Sequence, residues 1–207
     1  MLNTMLERIS PYLAKISKGE IGGAIVSNFS PKRVVFVEGK VPIEKLKRGG
    51  FEGKEAAKRL LGFLDLAKND IFRAVTHNKG IMNGIDAVLL ATGNDFRAVE
   101  AAVHSFAIKK GKYSPLTNWK IENEFLKGEI KIPLPLATVG GATNTRKARL
   151  AKKILRVKEA EELGIVCAAV GLSNNLAALS AIVTEGIQKG HLKLHQEFLE
   201  KIKVKAI

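Results

Sequence analysis

Residues 163–183 form an uncharged stretch that is long enough to cross a lipid bilayer as a helix, and its surroundings constrain the fold more than any other feature. At its centre stand three adjacent polar residues, Ser173, Asn174 and Asn175. Polar side chains are costly in hydrocarbon, and the two glycines of the stretch lower its helix propensity. We therefore interpret the stretch as two buried helical segments that meet at a polar joint, with a transmembrane span as the alternative.

The composition is that of a folded, basic protein. The 207 residues are 46% hydrophobic and 26% charged, which is typical of a globular chain and unlike a disordered one. Since 34 basic residues face 20 acidic ones, the formal net charge of +14 favours an anionic partner such as nucleic acid, a phosphorylated cofactor or an acidic membrane surface. The single cysteine, Cys167, excludes a disulfide framework and a cysteine metal site, and a reducing, cytoplasmic setting is expected.

Hydrophobic periodicity predicts an α+β fold. Residues 1–45 give one helix and two short strands, a unit too small to bury its own faces, so we interpret it as half of a domain. A boundary is expected at residues 45–50, where Gly49 and Gly50 follow a charged segment. The predicted helices cover 2–17, 53–67, 95–109, 145–155, 158–170, 174–185 and 191–202, and the predicted strands cover 24–26, 33–37, 116–121 and 125–136.

Segment 73–95 concentrates polar residues among glycines beside an apolar run, which suits a lined pocket better than a solvated face. Lys79 precedes a glycine, where a substrate can approach closely, and a lysine held near a carboxylate such as Asp95 can stabilise an oxyanion. Taken singly, Asp95 is more simply a helix N-cap and Lys79 a surface lysine. The residues alone leave both interpretations open.

Two further motifs carry weaker signals. His191 and His195 share a helix face, but Leu192 stands where the glutamate of a zinc HExxH motif would be, so a solvated histidine pair is favoured over a metal site. His191, next to Gly190, is also a candidate general acid. The glycine loop 139–145 lacks the P-loop lysine. It leads into a strongly basic helix, for which a solvated face is favoured over a nucleic-acid site, because aromatic residues are not interleaved with the charges.

The chain resembles the class II branch of the 3-hydroxy-3-methylglutaryl-coenzyme A (HMG-CoA) reductases in three segments, THNKGIMNGIDAVLLATGNDFRAVEAAVHSFA, VGGAT and TEGIQKGHLKLH, which occur in this order. The resemblance extends over essentially the whole chain. It implies that 1–45 is the second half of a small, ferredoxin-like dinucleotide-binding domain. It further implies that 46–187 is part of a large, helix-rich substrate domain with a central helix, and that 188–207 begins a C-terminal flap.

The resemblance also implies a chemistry. The family reduces HMG-CoA to mevalonate and CoA with two molecules of NADH or NADPH. Lys79 matches the family's lysine that polarises the thioester carbonyl, Asp95 the aspartate that tunes this lysine, and His191 the histidine that protonates the departing CoA thiolate. The reverse direction is equally compatible with these residues.

Further positions match the family's ligand contacts. Arg73, Thr76 and Asn83 match positions near the HMG group, and Asn175 and Ala178 match the wall near CoA. Asn28 matches a position near the dinucleotide, whose motif should end at or just before Met1. The implied partners are HMG-CoA, mevalonate and CoA in a homodimer or larger assembly, with no nucleic acid, membrane or metal.

Two family features are missing from the chain: the catalytic glutamate and the dinucleotide motif Asp-Ala-Met-Gly. We therefore expect an incomplete reductase that is inactive alone and needs the missing upstream segment, which a separate polypeptide can supply. The rival hypothesis is a non-catalytic, basic α+β module that binds anionic ligands or nucleic acid.

Overall fold

The computed structural model describes residues 2–187, and it confirms an α+β fold. Helix, strand and loop alternate irregularly along the chain rather than in βα repeats. The helices are α1 (Leu2–Ser17), α2 (Gly53–Asn69), α3 (Ile71–Thr92), α4 (Phe96–Phe106), α5 (Arg146–Leu155) and α6 (Ala160–Thr184). The strands are β1 (Val34–Pro42), β2 (Ile108–Lys109), β3 (Lys112–Tyr113), β4 (Thr117–Glu122) and β5 (Phe125–Pro133).

The main sheet is antiparallel, with the strand order β1-β5-β4. Its alternating pattern places Val35, Val37, Leu126, Ile130 and Trp119 on the face that packs on the helices. The opposite face is mostly polar and also carries Phe36, which is exposed. A second, two-stranded hairpin joins β2 to β3 through Lys110 and Gly111, which both have positive φ. This hairpin ends α4 at Phe106, earlier than the predicted 109.

Helices α3 and α6 pack side by side in antiparallel directions and form the middle of the helical layer. Glycines allow the close approach: a Cβ on Gly84 would lie 3.0 Å from Asn174 Cβ, and one on Gly171 would lie 2.9 Å from Ile85. These two helices are 22 and 25 residues long, and α4 packs beside α3 with Val99 and Val103 buried in the core.

The uncharged stretch is one continuous helix, α6, so the predicted polar joint is wrong. The three polar residues do not break the helix because two of them bond to neighbouring elements: Asn174 donates to the carbonyl of Gly80, and Asn175 is bonded within the core. By length and composition α6 also meets the criterion for a membrane span. Its contacts with β1, α2 and α3 make it a core helix in this structure.

In the N-terminal region, the predicted helix is present but the first predicted strand is absent. Helix α1 is present, but residues 24–26 are not a strand, and 18–33 have no regular structure. Strand β1 is longer than predicted and pairs with β5 over its whole length, from Val34 opposite Pro133 to Pro42 opposite Phe125. The sheet therefore crosses the predicted boundary at residue 45, and the assignment of the two parts to a cofactor domain and a substrate domain stays a prediction.

Candidate functional site

Four of the predicted substrate and catalytic residues lie on one side of α3. Arg73, Thr76, Lys79 and Asn83 are spaced by three, three and four residues, which is the spacing of one helix face. The sequence of this segment predicts a glycine-rich pocket lining, whereas in the structure the segment is part of a long helix. Helix α3 begins at Asp70, whose carboxylate accepts a hydrogen bond from the Arg73 backbone N–H at 3.0 Å, and ends at Gly93 in the left-handed conformation.

Arg73 is half-buried and forms no ion pair with any acidic residue in the described part of the chain. Its guanidinium lies over the Phe63 ring at 4.7 Å from the centroid, and its Nε has no hydrogen-bond partner among the described residues. Burial lowers the pKa of Arg73, yet a guanidinium remains charged. A buried, unpaired cation is costly, and an anion that binds beside it removes this cost.

Lys79 is exposed and, within residues 2–187, forms no ion pair. Asp95 is the N-cap of α4, where its carboxylate accepts from the Ala98 N–H at 3.1 Å. The helix rise separates Lys79 from Thr92, three residues before Asp95, by roughly 20 Å along α3. The structure therefore does not bring Lys79 and Asp95 together within one chain, and their pairing stays a prediction for an assembly of two chains.

A buried polar network lies directly behind this face and was not found by sequence reasoning. Asn175 Oδ1 accepts from Thr117 Oγ1 and from Trp119 Nε1, both at 2.9 Å. His77 Nε2 lies 2.7 Å from Thr117 Oγ1. The Asn175 amide Nδ2 lies 3.2 Å from the same ring nitrogen, so Thr117 and Asn175 both contact His77 Nε2.

The network holds α3 against β4 and α6. Burial, and secondarily the positive charge of Arg73, lower the pKa of His77 to about 4, so the ring is neutral at physiological pH. The neighbouring Asn78 adds two bonds to the segment before β4, donating to the Ser114 carbonyl at 2.9 Å and accepting from the Leu116 N–H at 3.0 Å. The face that carries Lys79 is therefore fixed from behind by hydrogen bonds on successive residues.

Asn175 lies in this network rather than at a surface. Its oxygen already accepts two hydrogen bonds from core residues, so its predicted role as a contact for CoA remains untested, and its observed role is to join α6 to β4. Ala178 lies three residues further along α6, is half-buried and remains a predicted contact.

Of the remaining predicted residues, only Asn28 lies within the described part of the chain. Asn28 is exposed in the irregular segment before β1. Met1 and His191, as well as His195, lie outside the described residues. In the described part of the chain, no three His, Cys, Asp or Glu side chains are grouped so as to hold a metal ion.

Two groups inside the helical layer have shifted acidities. Cys167 is buried in α6, and burial raises the pKa of its thiol to about 12, which makes it a poor nucleophile. Asp86 of α3 faces Glu100 of α4. Burial, followed by the charge and hydrogen bonding of Glu100, raises the pKa of Asp86 to about 6.

The face of α3 is open to solvent. Phe72, 83% exposed, precedes Arg73, and Val75 and Leu90 are also exposed on this helix. A helix face that combines exposed apolar side chains with cationic ones is typical of a site that a second surface completes.

A concave cavity of about 430 Å³ lies elsewhere, on the mostly polar face of the main sheet, where Lys127 contacts Glu38 at 2.8 Å.

Residues 1–196 match the sequence model of one family, described as hydroxymethylglutaryl-coenzyme A reductase. The chain belongs to this family. The resemblance carried by the three motifs is thereby confirmed.

Two HMG-CoA reductase sequences are similar over nearly all of the chain. The 3-hydroxy-3-methylglutaryl-coenzyme A reductase of Archaeoglobus fulgidus is 45% identical over 196 residues, which are 94% of this chain and 44% of that protein. The probable reductase of Borreliella burgdorferi is 38% identical over 207 residues, which are 99% of this chain and 48% of that protein. The chain thus spans about half the length of these reductases.

The fold is similar to solved structures of the class II enzyme from Streptococcus pneumoniae. One of them, bound to NADPH in open conformations, superposes with a TM-score of 0.80 at 40% identity, over 88% of this chain and 50% of that one. Another superposes with a TM-score of 0.80 over 94% of this chain and 47% of that one. The reductase fold is thus present for about half of the enzyme.

Proposed function

We propose that this chain supplies the substrate-binding helix and the catalytic lysine of an NAD(P)H-dependent HMG-CoA reductase. The observation that carries the proposal is the α3 face, where the half-buried, unpaired Arg73 lies two helical turns before the exposed Lys79. A ligand with a carboxylate at one end and a thioester carbonyl at the other matches this pair of cations. HMG-CoA has both groups.

In this proposal Arg73 binds the HMG carboxylate, and Thr76 and Asn83 donate or accept hydrogen bonds along the same face. The Lys79 ammonium donates to the thioester oxygen and stabilises the negative charge that develops there when hydride arrives at the carbon. Collapse of the resulting hemithioacetal breaks the carbon–sulfur bond, and the thiolate takes a proton from His191. A second hydride reduces the aldehyde, so that two NAD(P)H and two protons convert one HMG-CoA to mevalonate and free CoA.

Asp95 completes the lysine site from a second copy of the chain, since α3 keeps the two residues of one chain apart. Two chains related by a two-fold axis would each present Asp95 to the partner's α3. The exposed apolar residues of that helix, Phe72, Val75 and Leu90, give such an interface hydrophobic area.

The dinucleotide supplies the hydride when it is bound. Asn28 is the described residue proposed to contact it, and a single exposed amide does not fit a dinucleotide, whose pyrophosphate needs several backbone donors. We therefore propose that most of the dinucleotide site comes from the part of the reductase that this chain does not span, joined covalently or as a separate polypeptide. Reduction and its reverse use the same groups.

A chimeric reductase tests the proposal. Residues 1–196 replace the matching segment of the Archaeoglobus fulgidus enzyme, and NAD(P)H oxidation is followed at 340 nm. We expect the chimera to reduce HMG-CoA and Lys79→Ala to lower kcat by at least about 100-fold. Arg73→Gln should chiefly raise KM, since it removes a contact made in the ground state as well as in the transition state.

Lys58→Ala is the matched control, because Lys58 is an exposed lysine of α2, away from the α3 face. It should leave kcat unchanged. Full activity of the Lys79→Ala variant of the chimera, shown by circular dichroism to be folded, would contradict the mechanism. The 207-residue chain alone should show no turnover, and full activity of that chain would contradict the need for the missing segment.

A further inference from the structure

Helix α5 presents an aliphatic pair to solvent. Leu150 is 59% exposed and Ile154 is 72% exposed, and the four-residue spacing places them one turn apart on the outer face. Ala148 is buried and faces the opposite direction, where α5 packs against α3. The outer position of the pair therefore follows from the way the helix is seated.

Basic side chains surround this pair. On a helical projection they flank the aliphatic residues on both sides, and α5 has no acidic residue. None of them forms an ion pair with another described residue. They are Arg146, Lys147, Arg149 and Lys153, and Arg156 follows at the C-cap.

The sequence of this helix favours a solvated basic face. That hypothesis accounts for the charges but not for two large aliphatic side chains at the centre of the same face. Lys152 is directed differently, toward the inner side, and donates to the Thr138 carbonyl.

Nucleic acid, an acidic protein and an anionic lipid surface can each bind the cations of this face. The aliphatic pair distinguishes among these three kinds of partner. Nucleic acid offers phosphates but little for an aliphatic side chain, and α5 has no aromatic ring on which a base could stack. A protein partner needs an interface of about 1,200 Å² or more, whereas this patch has two aliphatic side chains on a ten-residue helix. An anionic lipid surface takes both components, since phosphates lie at the level of the cations and acyl chains lie below them.

We propose that α5 binds the surface of anionic membranes, lying flat with Leu150 and Ile154 inserted between the lipid headgroups. The cations around the pair contact lipid phosphates. The association is peripheral and reversible, because only two aliphatic side chains enter the acyl region. It adds a surface for lipid to this chain and is independent of the proposed reductase chemistry.

Co-sedimentation of the full 207-residue chain with lipid vesicles tests the proposal. Vesicles of phosphatidylcholine with 30% phosphatidylglycerol should bind the chain at least about 10-fold more tightly than pure phosphatidylcholine, and the difference should decrease at 0.5 M salt as the charges are screened. The double variant Leu150→Ser/Ile154→Ser keeps every charge. We expect it to reduce binding at least 5-fold.

Two controls separate this site from the general positive charge of the chain. Ile165→Ser removes an exposed aliphatic residue of α6, and Lys109→Gln/Lys110→Gln/Lys112→Gln removes three cations of the β2–β3 hairpin. Both should change vesicle binding less than 2-fold. Circular dichroism checks that every variant is folded.

Three outcomes would overturn the proposal. One is equal binding of the serine double variant and the parent chain, which would assign binding to charge alone. A second is absence of binding to phosphatidylglycerol vesicles at low salt. The third is loss of binding in the hairpin variant as large as that in the serine double variant. Binding of RNA that survives the serine changes would favour the nucleic-acid hypothesis instead.

Discussion

Helix α3 holds two titratable residues with opposite preferences, the buried His77 and the partly buried Asp86. His77 is stabilised in the neutral form by burial, whereas Asp86 is stabilised in the protonated form by burial and by Glu100. The pKa shifts of His77 and Asp86 cover nearly the same range of pH. Their contributions to stability therefore have opposite slopes and partly cancel in the parent chain.

His77 should make the fold sensitive to acid. Because its folded pKa of about 4 lies below that of the unfolded chain, its contribution is present above about pH 6.5 and is lost as the pH falls toward 4. His77→Gln should lower the free energy of unfolding by about 1–3 kcal/mol at pH 7 and by much less at pH 4.5. Urea titrations at several pH values measure this, with His104→Gln as the control. A constant difference across pH would contradict it.

Asp86 should have the opposite effect on the pH dependence of stability. Its folded pKa of about 6 lies above that of the unfolded chain, so its contribution is complete below about pH 4 and is lost as the pH rises through 6. Asp86→Asn should therefore raise the free energy of unfolding by about 1–2 kcal/mol at pH 7.5 and have little effect at pH 4. Glu100→Gln should have the same sign, because it removes the neighbouring charge. Destabilisation at pH 7.5 by both variants would show that the carboxylates are needed in their charged forms.

At the scale of elements, the paired strands β1 and β5 bring two glycines opposite each other, Gly39 and Gly128. Their environments differ. A Cβ on Gly39 would make an ordinary contact of 3.7 Å with Leu172, whereas one on Gly128 would lie 2.2–2.5 Å from the Trp119 ring. Trp119 cannot easily move, since its indole N–H is bonded to Asn175 in the core.

Gly128→Ala should therefore lower the free energy of unfolding by about 2–4 kcal/mol, and Gly39→Ala should change it by less than about 1 kcal/mol. Thermal or urea unfolding compares the two variants, and fluorescence of the single tryptophan reports whether Trp119 is displaced. Equal effects of the two substitutions would mean that the indole can move aside at little cost.

The elements that the sequence predicted well are those with a clear period. Helix α5 and strands β4 and β5 follow from local patterns, and α4 begins where Asp95 predicts a cap. Helices α3 and α6 were harder because glycines and polar residues lie in their interiors. Those residues are explained only by partners distant in sequence, as Asn175 is by Thr117 and His77. The buried network behind Lys79 could not be predicted for the same reason, because its members are distant in sequence. The spacing of the substrate residues, by contrast, can be read directly from the sequence.

At the scale of the whole described molecule, helix α1 stands out because its apolar face is exposed to solvent along its length. No residue of α1 is buried, and its apolar residues share one side. They are Leu2, Met5, Ile9, Leu13 and Ile16. A continuous exposed apolar stripe of this kind promotes association.

We expect the chain to form dimers or larger assemblies in solution. Ile9→Asp/Leu13→Asp should shift the population toward monomer by placing charges in the stripe, because burying an unpaired carboxylate is costly. Multi-angle light scattering at micromolar concentration measures the mass. The control Arg8→Gln/Lys15→Gln lowers the net charge of α1 by the same amount without entering the stripe. A monomeric parent chain would contradict the expectation.

The placement of Arg73, Thr76, Lys79 and Asn83 on one helix has a consequence for how such a chain can change over evolutionary time. Substitutions among the residues between them alter single contacts, but an inserted or deleted residue rotates everything beyond it by about 100°. One such event would separate Arg73 from Asn83 onto different sides of α3 and would also displace Asn78 and Gly84 from their partners. Segment 73–84 can therefore diverge in composition far more readily than it can change in length.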